Sequence, residues 1–401
     1  MSRTPRYPVV SLKPRREGPL LAGHLWVFSG AIAHLSRPAE AGDLVDVRTA
    51  EGAFLGCGYY HPQMDIAVRI LSHDPNEAID VAFLRGRLRQ AASLRDVINR
   101  EHTNAFRLVH AEGDGLPGLA IDAYAGWLVA QISTAGMERL RDQLVQALIE
   151  ELHPPGILLR NDAGGREREG LQREPPGVAH GEVPELVEIR ENDLRFQVDV
   201  WRGQKTGLFL DQREKRQALQ KYAAGRRVLN CFSYTGGFGV YAAAASPATH
   251  VTSVDTSAPA LEAARSNFAL NGLDPAQHVF EARDAFDYLE AAHAQGERFD
   301  VVVLDPPAFA KSQGARSQAL KAYRRLNTLG MQVLAPGGIL VSCSCSGPVG
   351  LDDLLGVIGL SAQRLGRTVQ VLESYGHSFD HPINLAMPET GYLKVIFCRV
   401  L

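Results

Sequence analysis

Two cysteines stand two residues apart in "VSCSCSGPVG" (Cys343 and Cys345), and a carboxylate precedes two prolines in "VVVLDPPAF" (Asp305). A thiolate is a nucleophile. A carboxyl beside two fixed φ angles is held on a rigid protrusion, against which a planar group can lie. The chain's five cysteines (Cys57, Cys231, Cys343, Cys345, Cys398) are odd in number and scattered, which suits reduced thiols better than a disulfide framework. C-x-C lacks the C-x-x-C spacing of redox and zinc motifs, and no second Cys or His pair sits at ligand distance, so no metal is expected. Burial as a small hydrophobe is the expectation for Cys57, Cys231 and Cys343. Strand alternation puts Cys343 and Cys345 on one face and does not choose between them. Position favours Cys345, which is nearer the carboxyl end of its strand.

A second group surrounds "NCFSYTGGFG". Its glycines, Gly236, Gly237 and Gly239, close a strand and open a helix without matching G-x-G-x-x-G, and no Lys-Ser/Thr follows to make a phosphate loop. Such a turn alone is weak, because close helix–sheet packing also needs glycine. Three acids strengthen it. Asp255 ends the next apolar run roughly 20 residues on, the distance for a carboxylate that accepts ribose hydroxyls; Asp284 and Asp305 end the two after it. One such acid is more often a helix N-cap, but three at consecutive strand ends point to a nucleoside-bearing cofactor.

The elements that must position these residues follow from patterning. After "EIRENDLRFQVDVW", which reads as a hairpin strand, the sequence alternates short apolar runs ("RVLNCF", "HVTSVD", "HVFEARD", "FDVVVLD", "GILVSCSCS") with helical segments. One of these, "SAPALEAARSNFALNGL", has Ser257 as N-cap, Pro259 in the first turn and Gly272 at the stop. This predicts an α/β, doubly wound parallel sheet, Rossmann-like, whose ligands bind at the carboxyl ends of its strands. Residues 1–72 read as a small β-rich module and 73–185 as a central α+β domain with a helix near 80–100. The segment 163–185, rich in Gly, Pro and charge, reads as a linker or exposed loop.

With 401 residues, 45% hydrophobic and 22% charged, the chain is an ordinary globular protein of two or three domains. No apolar run approaches membrane-spanning length and the basic start has no apolar h-region, so no membrane is expected and the cytoplasm is the default. The net charge of −3 hides basic blocks: Arg3, Arg6, Lys13, Arg15 and Arg16 near the start, and eight basic residues against Asp211 and Glu214 in 201–227. A solvated helix face accounts for half of that expectation, and an anionic ligand for the rest.

The motifs "LKPRREGPLLAGHLWVFSGAI", "GDGLPGLAIDAY", "QKTGLFLDQR", "NCFSYTGGFGVYA", "VDTSAPALEAARSNFALNG", "LDPPAFAKS", "SCSGPV" and "DHPINLAMPETGYLKVIFCRV" span the chain. Together they resemble the bacterial 23S ribosomal RNA 5-methylcytosine methyltransferase I family, class I S-adenosylmethionine-dependent enzymes. The resemblance implies an N-terminal PUA-like RNA-binding module (1–72), the central domain (73–185) and a methyltransferase domain (186–401). It implies Cys345, in "SCSG", as nucleophile and Asp305 at the base edge near N3. Asp255 and Asp284 would bind the ribose and adenine ends of S-adenosylmethionine, and Lys205, Gln212, Phe232, Ser233, Tyr234, Gly236 and Asp305 would complete the cofactor site. Lys13, Arg15, Arg16 and Lys311 would contact 23S ribosomal RNA. Ala308 stands where the family usually has a lysine, with Lys311 nearby. A homodimer is left open.

Carbon 5 of cytosine is a poor nucleophile. Thiolate addition to carbon 6, with a proton donor at N3, makes it enamine-like. A cysteine and a carboxyl at neighbouring strand ends meet that need, on a single-stranded or flipped-out base. Trp26, Phe28 and Tyr234 are candidates for stacking on bases, with core packing the commoner role for any one of them. The rivals are an RNA guanine N2-methyltransferase, which needs no cysteine, a non-catalytic RNA-binding assembly factor, and a nicotinamide oxidoreductase.

Overall fold

The computed structural model describes residues 6–162, 164–247 and 249–401; Arg3 of the basic start lies outside them. The chain forms two compact units. One runs up to Val187 and includes Val198–Leu208 and Phe379–Thr390; the other comprises Glu188–Gln197, Phe209–Ser378 and Gly391–Leu401.

The first unit carries two sheets. Strands β1 (Val9–Leu12), β2 (Trp26–Phe28), β3 (Ile32–Leu35), β4 (Leu44–Arg48), β5 (Phe54–Tyr60) and β6 (Ile66–Ser72) form a six-stranded sheet in the order β2-β6-β5-β4-β1-β3, with the short helix α1 (Gly18–Leu21) after the first strand. Val10, Leu12, Val27, Val45, Val47, Val68 and Ile70 fill its core. Helix α2 (Val81–Leu94) starts at Asp80, whose carboxylate accepts the Phe83 N–H. Strands β7 (Ala105–His110), β8 (Leu119–Tyr124) and β9 (Trp127–Ile132), helices α3 (Ala135–Arg139) and α4 (Arg141–Leu152), and strands β10 (Gly156–Leu159) and β11 (Gly177–Gly181) complete the unit's second sheet, ordered β11-β10-β9-β8-β7.

The segment 163–185, expected as a linker or exposed loop, is mostly exposed, but it is tied down rather than free: β11 pairs antiparallel with β10, and two of its charges are buried, Arg166 with Glu138 at 2.9 Å and Glu169 with Arg69 at 2.7 Å. Charge-rich sequence reads as solvent-facing until its partners, distant in the chain, are known. The "GDGLPG" and "DHPIN" motifs are likewise structural. Asp114 takes a two-pronged ion pair from the fully buried Arg95, which also donates to the Asp380 carbonyl at 2.6 Å.

A hairpin of β12 (Leu186–Glu191) and β13 (Leu194–Asp199) turns through Asn192 and Asp193, both at positive φ. The elements after it are helix α5 (Arg213–Ala223), β14 (Arg227–Cys231), α6 (Gly237–Ala244), β15 (His250–Asp255), α7 (Ala258–Leu270), β16 (Val279–Ala282), α8 (Ala285–Ala294), β17 (Phe299–Leu304), α9 (Arg316–Gln332), β18 (Leu334–Ser344), α10 (Leu351–Arg364), β19 (Val369–Tyr375) and β20 (Lys394–Val400). The sheet order is β16-β15-β14-β17-β18-β20-β19, with five parallel strands and β20 antiparallel to both neighbours. This is the expected doubly wound α/β fold. β14 and β17 are near-continuous apolar runs because helices cover both faces. Ser257 caps α7 through the Ala260 N–H, and Gly272 follows its end at φ 71°. Among the described residues no helix is long and apolar enough to cross a membrane.

Candidate active site

The strand order reverses at β14, so its carboxyl end and those of its neighbours enclose a crevice. The turn leaving β14 is strained: Phe232 and Tyr234 both hold positive φ, 60° and 48°, and Gly236 holds 83°. Non-glycine residues stay there only when their surroundings insist. Asp255, at the end of β15, supplies that insistence: one carboxylate oxygen accepts the Tyr234 N–H and the other the Ser257 N–H, each at 2.9 Å. Packing selects the glycines. A Cβ on Gly237 would meet Arg216 Cδ at 2.9 Å, and one on Gly239 would meet Phe268 at 3.1 Å. Beneath the turn, Arg216 is buried in a two-pronged pair with Glu191 at 2.8 and 2.6 Å. Asp284 lies exposed two residues beyond β16, and its Oδ1 caps α8 through the Phe286 and Asp287 N–H groups.

The other half of the crevice differs. Asp305 leaves β17 with its carboxyl ringed by protein, and Gln212 Nε2 donates to its Oδ1 at 3.1 Å. Burial and the neighbouring Asp211 push its pKa up to about 7, against the opposing pull of Arg216, Cys343 and Gln212. Cys343 is fully buried beside this acid, and burial drives its thiol pKa well up. Of the five cysteines only Cys345 is not buried. It stands one residue past the end of β18, its Sγ 3.8 Å from the Pro306 carbonyl oxygen, which brings it to the carboxyl–proline segment. The alternation that put the two thiols on one face stops with the strand, and they occupy different surroundings.

Sequence patterning missed the residues that hold this loop. Tyr323, on α9, is buried, and its hydroxyl contacts Ser344 Oγ at 3.0 Å and Ser346 Oγ at 2.9 Å. Ser346 Oγ also accepts the Ala310 N–H at 3.1 Å. Lys394 opens β20 and donates to the carbonyls of Ser346 and Tyr392, each at 2.8 Å. The only signal for these in the sequence is the run of three serines around the cysteines.

The basic run 201–227 divides: three of its eight basic residues are spent inside the protein, while Arg202, Lys205, Lys221, Arg226 and Arg227 are exposed. Arg213, Lys215 and Arg216 are buried, Arg216 on Glu191 and Lys215 on the Asp211 carbonyl, while Lys221 pairs with Glu373 at 2.8 Å. The three buried cations are therefore structural, and the solvated part of the run is its exposed remainder. Lys205 belongs to the first unit, exposed at φ 58°. Lys13, Arg15 and Arg16 are exposed in that unit and Lys311 in the other; Lys13 Nζ donates to the Gly30 carbonyl at 2.8 Å.

Residues 173–380 match the family described as S-adenosylmethionine-dependent methyltransferase, and residues 10–73 match a PUA-like domain. A Shewanella denitrificans protein named ribosomal RNA large subunit methyltransferase I is 42% identical over 98% of this chain and 99% of its own. One of the same name from Aeromonas salmonicida is 43% identical over 96% and 97%. A solved chain from Streptococcus mutans, described as a proposed SAM-dependent methyltransferase, has a TM-score of 0.84 at 24% identity, covering 98% of this chain and 99% of that one. A second solved chain with the same figures is complexed with SAH.

S-adenosylmethionine is accordingly the cofactor, and the crevice suits it. Ser233 Oγ and Gln212 Oε1 are buried polar atoms without a protein partner, which a ligand carrying amino, carboxylate and hydroxyl groups can satisfy. The Asp255 oxygens each retain acceptor capacity beyond the backbone N–H they hold.

Proposed function

The chain belongs to the ribosomal RNA large subunit methyltransferase I family, and from that premise we propose that it methylates carbon 5 of a cytosine in 23S ribosomal RNA through a covalent adduct with Cys345. The observation that carries this reading is the pairing of the one thiol that is not buried with the segment that begins at Asp305. Bound S-adenosylmethionine supplies the methyl group. Cys345 Sγ, as thiolate, forms a bond to carbon 6, and the displaced electron pair is taken up at N3 by a proton from Asp305. Carbon 5, now enamine-like, takes the methyl. Loss of the carbon 5 proton to a base then returns an electron pair that expels the thiolate, and N3 gives its proton back to the Asp305 carboxylate, which restores the neutral aromatic ring.

A carboxyl whose pKa sits at about 7 is half protonated at neutral pH, so Asp305 can serve as that donor. Asp255, Asp284, Gln212, Phe232, Ser233, Tyr234 and Gly236 are proposed to hold the cofactor in unit two. RNA contacts are assigned to Lys13, Arg15, Arg16 and Lys311. Residues 1–72, 73–185 and 186–401 are taken as the RNA-binding, central and methyltransferase domains. Mass mapping of ribosomal RNA from cells with and without this chain tests the substrate. Loss of one 5-methylcytosine is expected; loss of an N2-methylguanosine instead would establish the guanine reaction.

A further inference from the structure

Lys394 has no part in the reaction just described, yet it is placed beside the nucleophile. Its strand runs antiparallel to β18, and the register sets Lys394 directly across from Ser344, the last strand residue before Cys345. The ammonium is half-buried and fixed: two of its three N–H bonds go to the carbonyls of Ser346 and Tyr392, both at 2.8 Å. The Ser346 carbonyl belongs to the residue immediately after Cys345. A long side chain tethered to two backbone carbonyls loses the freedom that makes most lysines weak electrostatic partners.

We propose that Lys394 is a positioning residue for the reaction, a fixed cation that favours the thiolate of Cys345 while anchoring the loop that carries it. This rests on the covalent reading above only for its purpose; the ionisation of the thiol can be measured without methyl transfer. A cation close to a cysteine lowers its pKa, and a partly buried cation does so with little screening.

The surrounding charges agree in sign with this assignment. Groups that face Cys345 include Tyr323 from α9, the buried Cys343 on its own strand and Lys394 from β20, and Asp305 immediately precedes the Pro306 whose carbonyl the thiol approaches. Burial pushes the pKa values of Tyr323 and Cys343 up, so both are neutral near pH 7 and oppose no thiolate. Asp305, with its pKa near 7, opposes the thiolate only as the pH rises through that value. Asp353, on α10, faces Lys394, but Arg316 is bound to it at 2.5 Å and neutralises much of its charge. Lys394 is the cation of this group. Burial lowers its own pKa, while Cys345 and Asp353 raise it.

The test is the pH profile of Cys345 alkylation by iodoacetamide in the full chain, followed by peptide mass so that the other cysteines do not contribute. In wild type the midpoint should lie below the ordinary thiol value of about 8.5. In Lys394→Met it should rise by about one pH unit, with alkylation at pH 7 about tenfold slower, whereas Lys394→Arg should stay near wild type. Superposed profiles for wild type and Lys394→Met, or a wild-type midpoint at the ordinary value, would overturn the proposal. Should Lys394→Met fail to fold, the wild-type midpoint decides alone. A depressed, Lys394-dependent midpoint in a protein that forms no adduct with RNA would keep this inference and defeat the covalent reading instead.

Discussion

The two halves of the crevice place carboxylates at equivalent strand ends and use them in opposite ways. In the β14–β16 half, both oxygens of Asp255 accept backbone N–H groups, and Asp284 caps a helix while exposed to water. Such acids spend their acceptors on backbone N–H groups, Asp255 holding the turn and Asp284 starting a helix. In the β17–β18 half, Asp305 faces a glutamine, a thiol and another acid, and burial raises its pKa to about 7. Strand-end position therefore does not define a role; the number of N–H donors around each carboxylate does. On the proposed reading, one half binds the cofactor and the other moves a proton.

Removing Asp305 should break the comparison most severely. Asp305→Ala is expected to lower kcat/KM by roughly 10² to 10⁴-fold, the range for a positioned acid, measured by methyl incorporation into ribosomal RNA fragments. Asp305→Asn keeps a hydrogen-bond donor that cannot ionise, so the wild-type fall in activity as pH rises through about 7 should flatten. The sign carries over to stability. A carboxyl whose folded pKa is raised favours the folded state most below its unfolded value, and that contribution is lost as pH rises toward 7. Asp305→Asn should therefore show a smaller drop in Tm between pH 5 and pH 8. An unaltered alkaline limb in Asp305→Asn would mean that another group titrates.

A smaller effect sharpens the binding half. Asp255→Ala should weaken S-adenosylmethionine by about 1.5–3 kcal/mol in calorimetry, since charged acceptors are lost and the strained turn at Phe232 and Tyr234 loses its anchor. Asp284→Ala should cost about 1 kcal/mol of stability through the lost cap and weaken the cofactor less than Asp255→Ala, because the turn at Phe232 and Tyr234 stays anchored. Equal losses of affinity in the two variants would mean that the anchored turn adds nothing to binding.

The parallel sheet was legible because buried strands read as apolar runs separated by helices, and Ser257 and Gly272 marked one helix at both ends. Cys345 and Asp305 were legible as unusual residues at strand ends. What stayed hidden was long-range pairing. Arg216 reads as a surface charge until Glu191, 25 residues earlier, is found beside it, and the stretch 163–185 reads as a linker or exposed loop until Arg69 and Glu138 take up two of its charges. Tyr323 and Lys394 carry no local pattern at all; their places follow from a helix packed on a strand and from antiparallel register.

The central claim is that Cys345 attacks the base. A 5-fluorocytosine-containing RNA tests it most directly, because fluorine cannot leave carbon 5 as a proton and the adduct should persist after methyl transfer. Wild type should form an RNA-linked species that denaturing gels resolve and peptide mass maps to Cys345, Cys343→Ala should form it too, and Cys345→Ala should not. No adduct from active wild-type enzyme, or an adduct in Cys345→Ala that maps to Cys343, would contradict the assignment.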